Sequence, residues 1–240
     1  MKHCLSLLLV LSGTLFSQEE SVKHSLRILP LGDPPPFIQE IRDGIRYEVP
    51  AEEGTIPPRN IELSTKPKEG EQPVKLPMRL RLGYLSPVLT FPLPENRKID
   101  AKLEGGGAWL DIPLSKGKST LALVWRGGKD WYQPRVISVA DDAKEGDFLF
   151  VNVTAKPMGI VWGAEKLKLN PAASMVRRLP QGARTLELSI QYPAPEGGLK
   201  PCLSTQVEKL PGSRQQFVIY AADGKNSRMP VKVLSLSDKL

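Results

Sequence analysis

Chemistry in this chain would have to run through few side chains. Among 240 residues there are two histidines, His3 and His24, and two cysteines, Cys4 and Cys202. His3 and Cys4 lie in a segment expected to be removed on export, as argued below. A Ser-His-Asp or Cys-His system needs an imidazole to take the nucleophile's proton, which leaves His24. That residue sits close to the processed N-terminus, where chains fray, and is a poor general base there. A structural zinc site needs four Cys/His-type ligands, and a blue-copper site needs two histidines with a cysteine. The processed chain supplies neither set, and no cofactor is expected.

Asp141, Asp142, Glu145 and Asp147 cluster tightly and offer hard oxygens of the kind calcium takes. Their spacing fits no EF-hand loop, and a solvated acidic turn accounts for them equally. Gly117-Lys118-Ser119-Thr120 imitates the end of a phosphate-binding loop, but Ile112 stands where that loop needs its first glycine. Gly105-Gly106-Gly107 reads as a flexible turn. Paired carboxylates hydrolyse glycosides without histidine, so a carboxylate-dependent glycosidase is the one enzyme class that passes the residue count. Nothing in the sequence selects the pair.

Residues suited to binding are easier to name. Trp131 and Tyr132 lie in a polar turn, and Trp162 lies at a hairpin between Gly159 and Gly163. Such rings offer flat faces to sugars or anchor a protein partner. The competing reading folds the tryptophans back to cap a core. Trp109 and Trp125 alternate into strands and are assigned to the core. Arg79 with Arg81, and Lys166 with Lys168, are spaced two apart and project the same way from a strand. They form either solvated faces or contacts to an anionic envelope polymer or lipid headgroup. Arg177-Arg178 adds positive charge. Aromatics are not interleaved with these cations, so nucleic acid is not the expected partner. Cys202 reads as a small buried hydrophobe or an intermolecular disulfide partner. Asn152-Val153-Thr154 forms a glycosylation sequon.

These residues need elements to hold them. Met1-Lys2-His3 followed by the apolar Cys4–Phe16 reads as a secretory signal peptide with cleavage after Ser17. As a membrane span it is too short, and no later run approaches the required length. Export implies a secreted or periplasmic protein. Loss of Lys2 lowers the basic count from 33 to 32 against 26 acids, so the formal charge falls from +7 to +6. With 23 prolines, about twice the usual share, long helices are disfavoured.

Period-two alternation dominates instead. Leu186, Leu188, Ile190 and Tyr192 share one face of Thr185–Tyr192, as a half-buried antiparallel strand requires. Ile99, Ala101 and Leu103 repeat the pattern, as do Met78, Leu80 and Leu82. The continuous apolar runs Leu121–Trp125, Phe148–Val151 and Phe217–Tyr220 read as strands buried on both faces. Pro and Gly punctuate these runs every 8–12 residues, the signature of a sandwich or barrel. Asp43-Gly44 reads as a two-residue hairpin turn, with a single helical turn over Phe37–Asp43 as its competitor.

The fold class expected is all-β, an antiparallel β-sandwich, with two sandwiches packed in tandem and a Pro-rich N-terminal arm. Residues 18–75 make the arm, in which Leu26–Leu29 can form a strand and Ser64–Pro73 a linker. Residues 76–140 make the first sandwich region and 141–240 the second domain. A faint repeat supports the division: Pro113–Gly117, a strand over Leu121–Trp125, then Gly127-Gly128-Lys129. Leu210-Pro211-Gly212, Phe217–Tyr220 and Asp223-Gly224-Lys225 match it.

Asp147-Phe148-Leu149-Phe150-Val151-Asn152-Val153-Thr154 and the hairpins that follow resemble uncharacterised secreted bacterial β-sandwich modules over about residues 147–236. The resemblance implies an envelope sandwich and carries over no catalytic residue. The function expected is a non-catalytic binding or structural module whose partner is an envelope protein or an anionic or neutral polysaccharide. A carbohydrate-binding module using Trp131 and Tyr132, and the glycosidase, are the alternatives.

Overall fold

A computed structural model of the chain describes residues 22–65, 74–224 and 227–239. The expected signal peptide and most of the Ser64–Pro73 linker lie outside the described residues. Regular structure among those described is all β-strand. The chain opens with β1 (Lys23–Leu31), adds β2 (Ile38–Arg42) and β3 (Ile45–Val49), and continues through β4 (Asn60–Ser64) and β5 (Lys75–Arg79). Then come β6 (Leu89–Pro92), β7 (Lys98–Leu103), β8 (Ala108–Pro113), β9 (Ser119–Arg126) and β10 (Pro134–Ala140). The second half runs through β11 (Phe148–Asn152), β12 (Met158–Trp162), β13 (Glu165–Leu169) and β14 (Ser174–Arg177). It ends with β15 (Thr185–Pro193), β16 (Leu199–Glu208), β17 (Ser213–Ala221) and β18 (Val231–Lys239).

These strands build four layers. The sheets are β5-β4-β7-β8, β10-β9-β1-β6, β14-β11-β17-β18 and β13-β12-β15-β16. One apolar core, with Leu26, Leu63, Ile99 and Ile112, fills the gap between the first two sheets. Another, with Phe150, Trp162, Ile190 and Phe217, fills the gap between the last two. A third core, with Leu29, Leu121, Leu123, Val151 and Val218, joins the two inner sheets. Inner strands therefore bury both faces: along β9, Ala122 and Val124 point into the first core while Leu121 and Leu123 point into the third. A strand so placed needs a continuous apolar run rather than alternation. In the second core Phe150 stacks on Phe217 with ring centres 5.1 Å apart, and Trp162 makes edge-to-face contacts with Phe148 and Phe150.

The two halves share one topology. In each, the first strand runs parallel to the seventh, β1 to β9 and β11 to β17, and the sheet orders superimpose strand for strand when β2 and β3 are skipped. The repeat is thus a whole eight-stranded sandwich, of which the matched turn motifs are one corner. The β2–β3 hairpin has no counterpart, because residues 153–157 lead straight from β11 to β12. Its turn is Asp43-Gly44 with φ of 50° and 79°, the left-handed pair that a two-residue hairpin uses. The competing helical turn does not form.

Within the expected arm, the described residues 22–65 are not extended chain but part of the first sandwich. They give β1 to the inner sheet and β4 to the outer one, so the first sandwich begins at Lys23 rather than at residue 76. Pro30 within β1 concealed this, since proline removes a ladder donor. On its side of the strand, however, the neighbour is a loop: Gly83 donates to the Pro30 carbonyl and Ser86 to that of Ile28. Pro30 thus turns its nitrogen away from β9, and the parallel ladder loses nothing.

Candidate functional site

The sequence-predicted residues fall in separate places. Trp131 is 2% exposed in the first core, not a free face on a loop. Its backbone N–H donates to Gly54 O at 2.8 Å, and its own carbonyl accepts the Trp109 indole N–H at 2.8 Å. The loop around Gly54 therefore pulls Trp131 inward. Trp162 is likewise 2% exposed, at the centre of the second core. Neither ring is available as a ligand platform. Tyr132 alone of the three stays outside, 54% exposed, with its hydroxyl donating to Glu53 at 2.9 Å. That hydrogen bond raises its pKa.

The basic pairs project to solvent as expected but do not converge. Arg79 ends β5 and Arg81 follows it, its guanidinium 4.0 Å from the Tyr84 ring centre. Lys166 and Lys168 point outward from β13, while Leu169 points into the core. β5 and β13 are equivalent edge strands of the two repeats, and they lie in opposite outer layers. The pairs thus mark the two far faces of the stack. An open groove of about 680 Å³ crosses the β4–β5 face between Asn60, Lys75, Arg79 and Glu104.

The acidic turn is not a metal cradle. Asp147 accepts the Lys144 N–H at 2.7 Å and the Arg178 Nε–H at 2.5 Å. Burial alone would raise its pKa; these two bonds outweigh it and hold the carboxyl below the usual range. Glu145 instead accepts from the Gly212 N–H, and Asp142 faces water. Among the described residues no group of three ligating side chains comes together. Asp141 has left the turn altogether to join a buried ion cluster that spacing gave no means of finding.

That cluster sits where the two halves meet. Arg27 of β1 grips Asp141 with two N–H donors at 2.7 and 2.8 Å, and reaches Asp238 of β18 with a third. Arg214 of β17 bonds Asp141 at 2.8 Å and Asp238 at 2.9 Å, and caps the carbonyls of Asp141 and Ala143. Two guanidinium and two carboxylate groups cancel in charge, as burial demands. Burial pushes the Asp238 pKa up, but hydrogen bonds from Arg27 and Arg214 win and lower it. A second clasp closes the other end of the junction. Asp33 accepts from Lys232 at 2.7 Å and from the Gly224 N–H at 2.8 Å, while Asp223 accepts from Arg126 and from the Asp33 N–H. Burial beside these two acids pushes the Tyr220 hydroxyl up to about 12.

His24 is not frayed. It is 1% exposed within β1, its Nε2 lies 2.7 Å from Thr120 Oγ1, and burial followed by the Arg97 charge lowers its pKa. Cys202 is half-buried on β16, its thiol raised by burial and donating to the Ile190 carbonyl. The sequon is internal: Asn152 is fully buried and its amide donates to the Lys156 and Leu169 carbonyls. What residue-by-residue reading missed is the exposed apolar surface of the β2–β3 hairpin, where Phe37, Ile38, Ile41, Ile45 and Tyr47 all face water. Four of these five lie on β2 and β3, and Phe37 immediately precedes β2.

No protein family's sequence signature matches this chain, and no curated protein matches it. Among solved structures, a DUF3823 family protein from Bacteroides ovatus is a weak neighbour. It has 11% identity and a TM-score of 0.19, over 78% of this chain and 100% of that one. So loose a superposition carries no argument about function. Among the described residues no helix is long and apolar enough to cross a membrane.

Proposed function

We propose that this chain is an exported, non-catalytic binding and structural module of the cell envelope or extracellular space. One observation carries the reading. At the junction of the two sandwiches Arg27 and Arg214 are committed to Asp141 and Asp238, and Lys232 to Asp33. A general acid or base must be free to reach a substrate, and these side chains are instead taken up by hydrogen bonds to their partners. The geometry serves rigidity instead. Recognition then falls to side chains on the outside, chiefly Arg79, Arg81, Lys166 and Lys168, whose exposed charge suits an anionic envelope polymer or an acidic protein surface.

The test is retention of envelope material on immobilised protein. Binding that weakens with salt and is lost in Lys166→Glu/Lys168→Glu supports the reading, because exposed charge pairs are screened. Turnover of a glycoside that disappears when one aspartate or glutamate is neutralised would overturn it.

A further inference from the structure

We propose that the open edge of β3 pairs antiparallel with β3 of a second copy of this chain, joining two hairpins into one four-stranded sheet. The hairpin is the insertion that distinguishes the first repeat from the second, so the sandwich closes without it. Among the described residues no third strand pairs with it and no sheet packs on it. A lone two-stranded hairpin is marginal in water, and three or more strands with an apolar face are the stable unit.

The sequence of β3 specifies the occupant. It reads Ile45-Arg46-Tyr47-Glu48-Val49, which about Tyr47 is symmetric in polarity and antisymmetric in charge. Antiparallel pairing of two such strands on a two-fold axis at Tyr47 sets Arg46 opposite Glu48 of the other copy, twice. It also sets Ile45 opposite Val49, and tyrosine opposite tyrosine. Opposite charges and apolar or aromatic pairs directly across are the favourable combinations.

The backbone agrees with this register. In a two-residue hairpin the residues flanking the turn, here Arg42 and Ile45, exchange both hydrogen bonds. Tyr47 and Val49 therefore also turn their N–H and C=O toward β2, leaving those of Arg46 and Glu48 on the outer edge. The free backbone groups thus belong to the two residues that the charge match sets opposite each other. The isologous contact is closed, so it makes dimers and not fibres. Five residues a side make a small interface, and the dimer is expected to be concentration-dependent.

Sedimentation velocity on purified protein over rising concentration tests this. The unaltered chain is expected to shift from monomer to dimer. Arg46→Glu places acid opposite acid and Glu48→Arg base opposite base, so each alone weakens the dimer by about tenfold or more. An equimolar mixture of the two variants restores both pairs, and dimer returns at the original concentration. Both substitutions lie on an exposed hairpin, and unchanged melting temperatures establish that each variant is folded. A wild-type chain that stays monomeric at hundreds of micromolar would overturn the proposal. So would a dimer indifferent to both reversals, or a mixture that does not recover. None of these outcomes bears on retention of envelope material by the outer lysines.

Discussion

Arg27 and Asp238 stand 211 positions apart in the chain, and their side chains meet at 2.5 Å. One belongs to the first strand of the first sandwich and the other to the last strand of the second. With Asp141 and Arg214 they form a neutral buried quartet, so the strength of the junction depends on all four being present.

Arg27→Met removes one cation and leaves Asp141 and Asp238 to share Arg214. Loss of one partner from a buried ion pair costs about 3–5 kcal/mol, because a charge is left uncompensated. Urea unfolding of the variant should show a loss of that order. A further Asp238→Leu change should recover part of it, since the orphaned charge is then gone. A double variant as unstable as the sum of the singles would show that the quartet is not coupled.

Stability should depend on pH through Asp238. Its folded pKa lies below the unfolded value of 3.8, so the folded state binds fewer protons in that range. The stabilisation is fully present above the unfolded value and is lost as pH falls through the lower folded value. Unfolding free energies measured from pH 6 downward should fall less steeply below about pH 4 in Asp238→Asn than in the wild type. Identical slopes would contradict the assignment.

Trp131→Ala should behave as a core truncation. Removing a buried tryptophan costs about 3–5 kcal/mol, and thermal melts should report it whether or not any glycan is present. Tyr132→Ala, on the same loop but outside, should change stability little. Weakened sugar binding by both variants to the same degree, with unchanged melting of Trp131→Ala, would reverse this placement.

Gln216 is fully buried on β17, and neither its amide nitrogen nor its oxygen finds a hydrogen-bond partner among the described residues. It shares the face of β17 that carries Val218 into the third core. Replacing an unsatisfied buried polar group by an apolar one of similar shape removes a desolvation cost of about 1–3 kcal/mol. Gln216→Met should therefore raise the denaturant midpoint, and a lower midpoint would show the amide to be satisfied in solution.

Much of the fold was legible. Thr185–Tyr192 alternates because β15 has one core face, and Leu121–Trp125 and Phe148–Val151 are continuously apolar because β9 and β11 have two. Asp43-Gly44 announced its own turn through the positive φ that glycine permits. β1 was half hidden, since Pro30 reads as a strand breaker until the loop beside it is known. The site was less legible, for a physical reason. Trp131 is drawn inside by the Gly54 carbonyl, and Asp141 by two arginines from distant strands, and contacts of that range leave no trace in local spacing. The twofold repeat showed itself only at two turns and the apolar strand between them, because what the halves share is the path of the backbone rather than side-chain identity.

The third core has a final implication for how the molecule can be divided. Each half looks like a module that could be cut out and expressed alone. Yet Leu29, Leu121, Leu123 and Val139 on one side, and Leu149, Val151 and Val218 on the other, would all be uncovered by the cut. Severing the chain near residue 141 should give two sticky, insoluble fragments in place of two tidy domains. Duplicated in design, the protein should melt as one body.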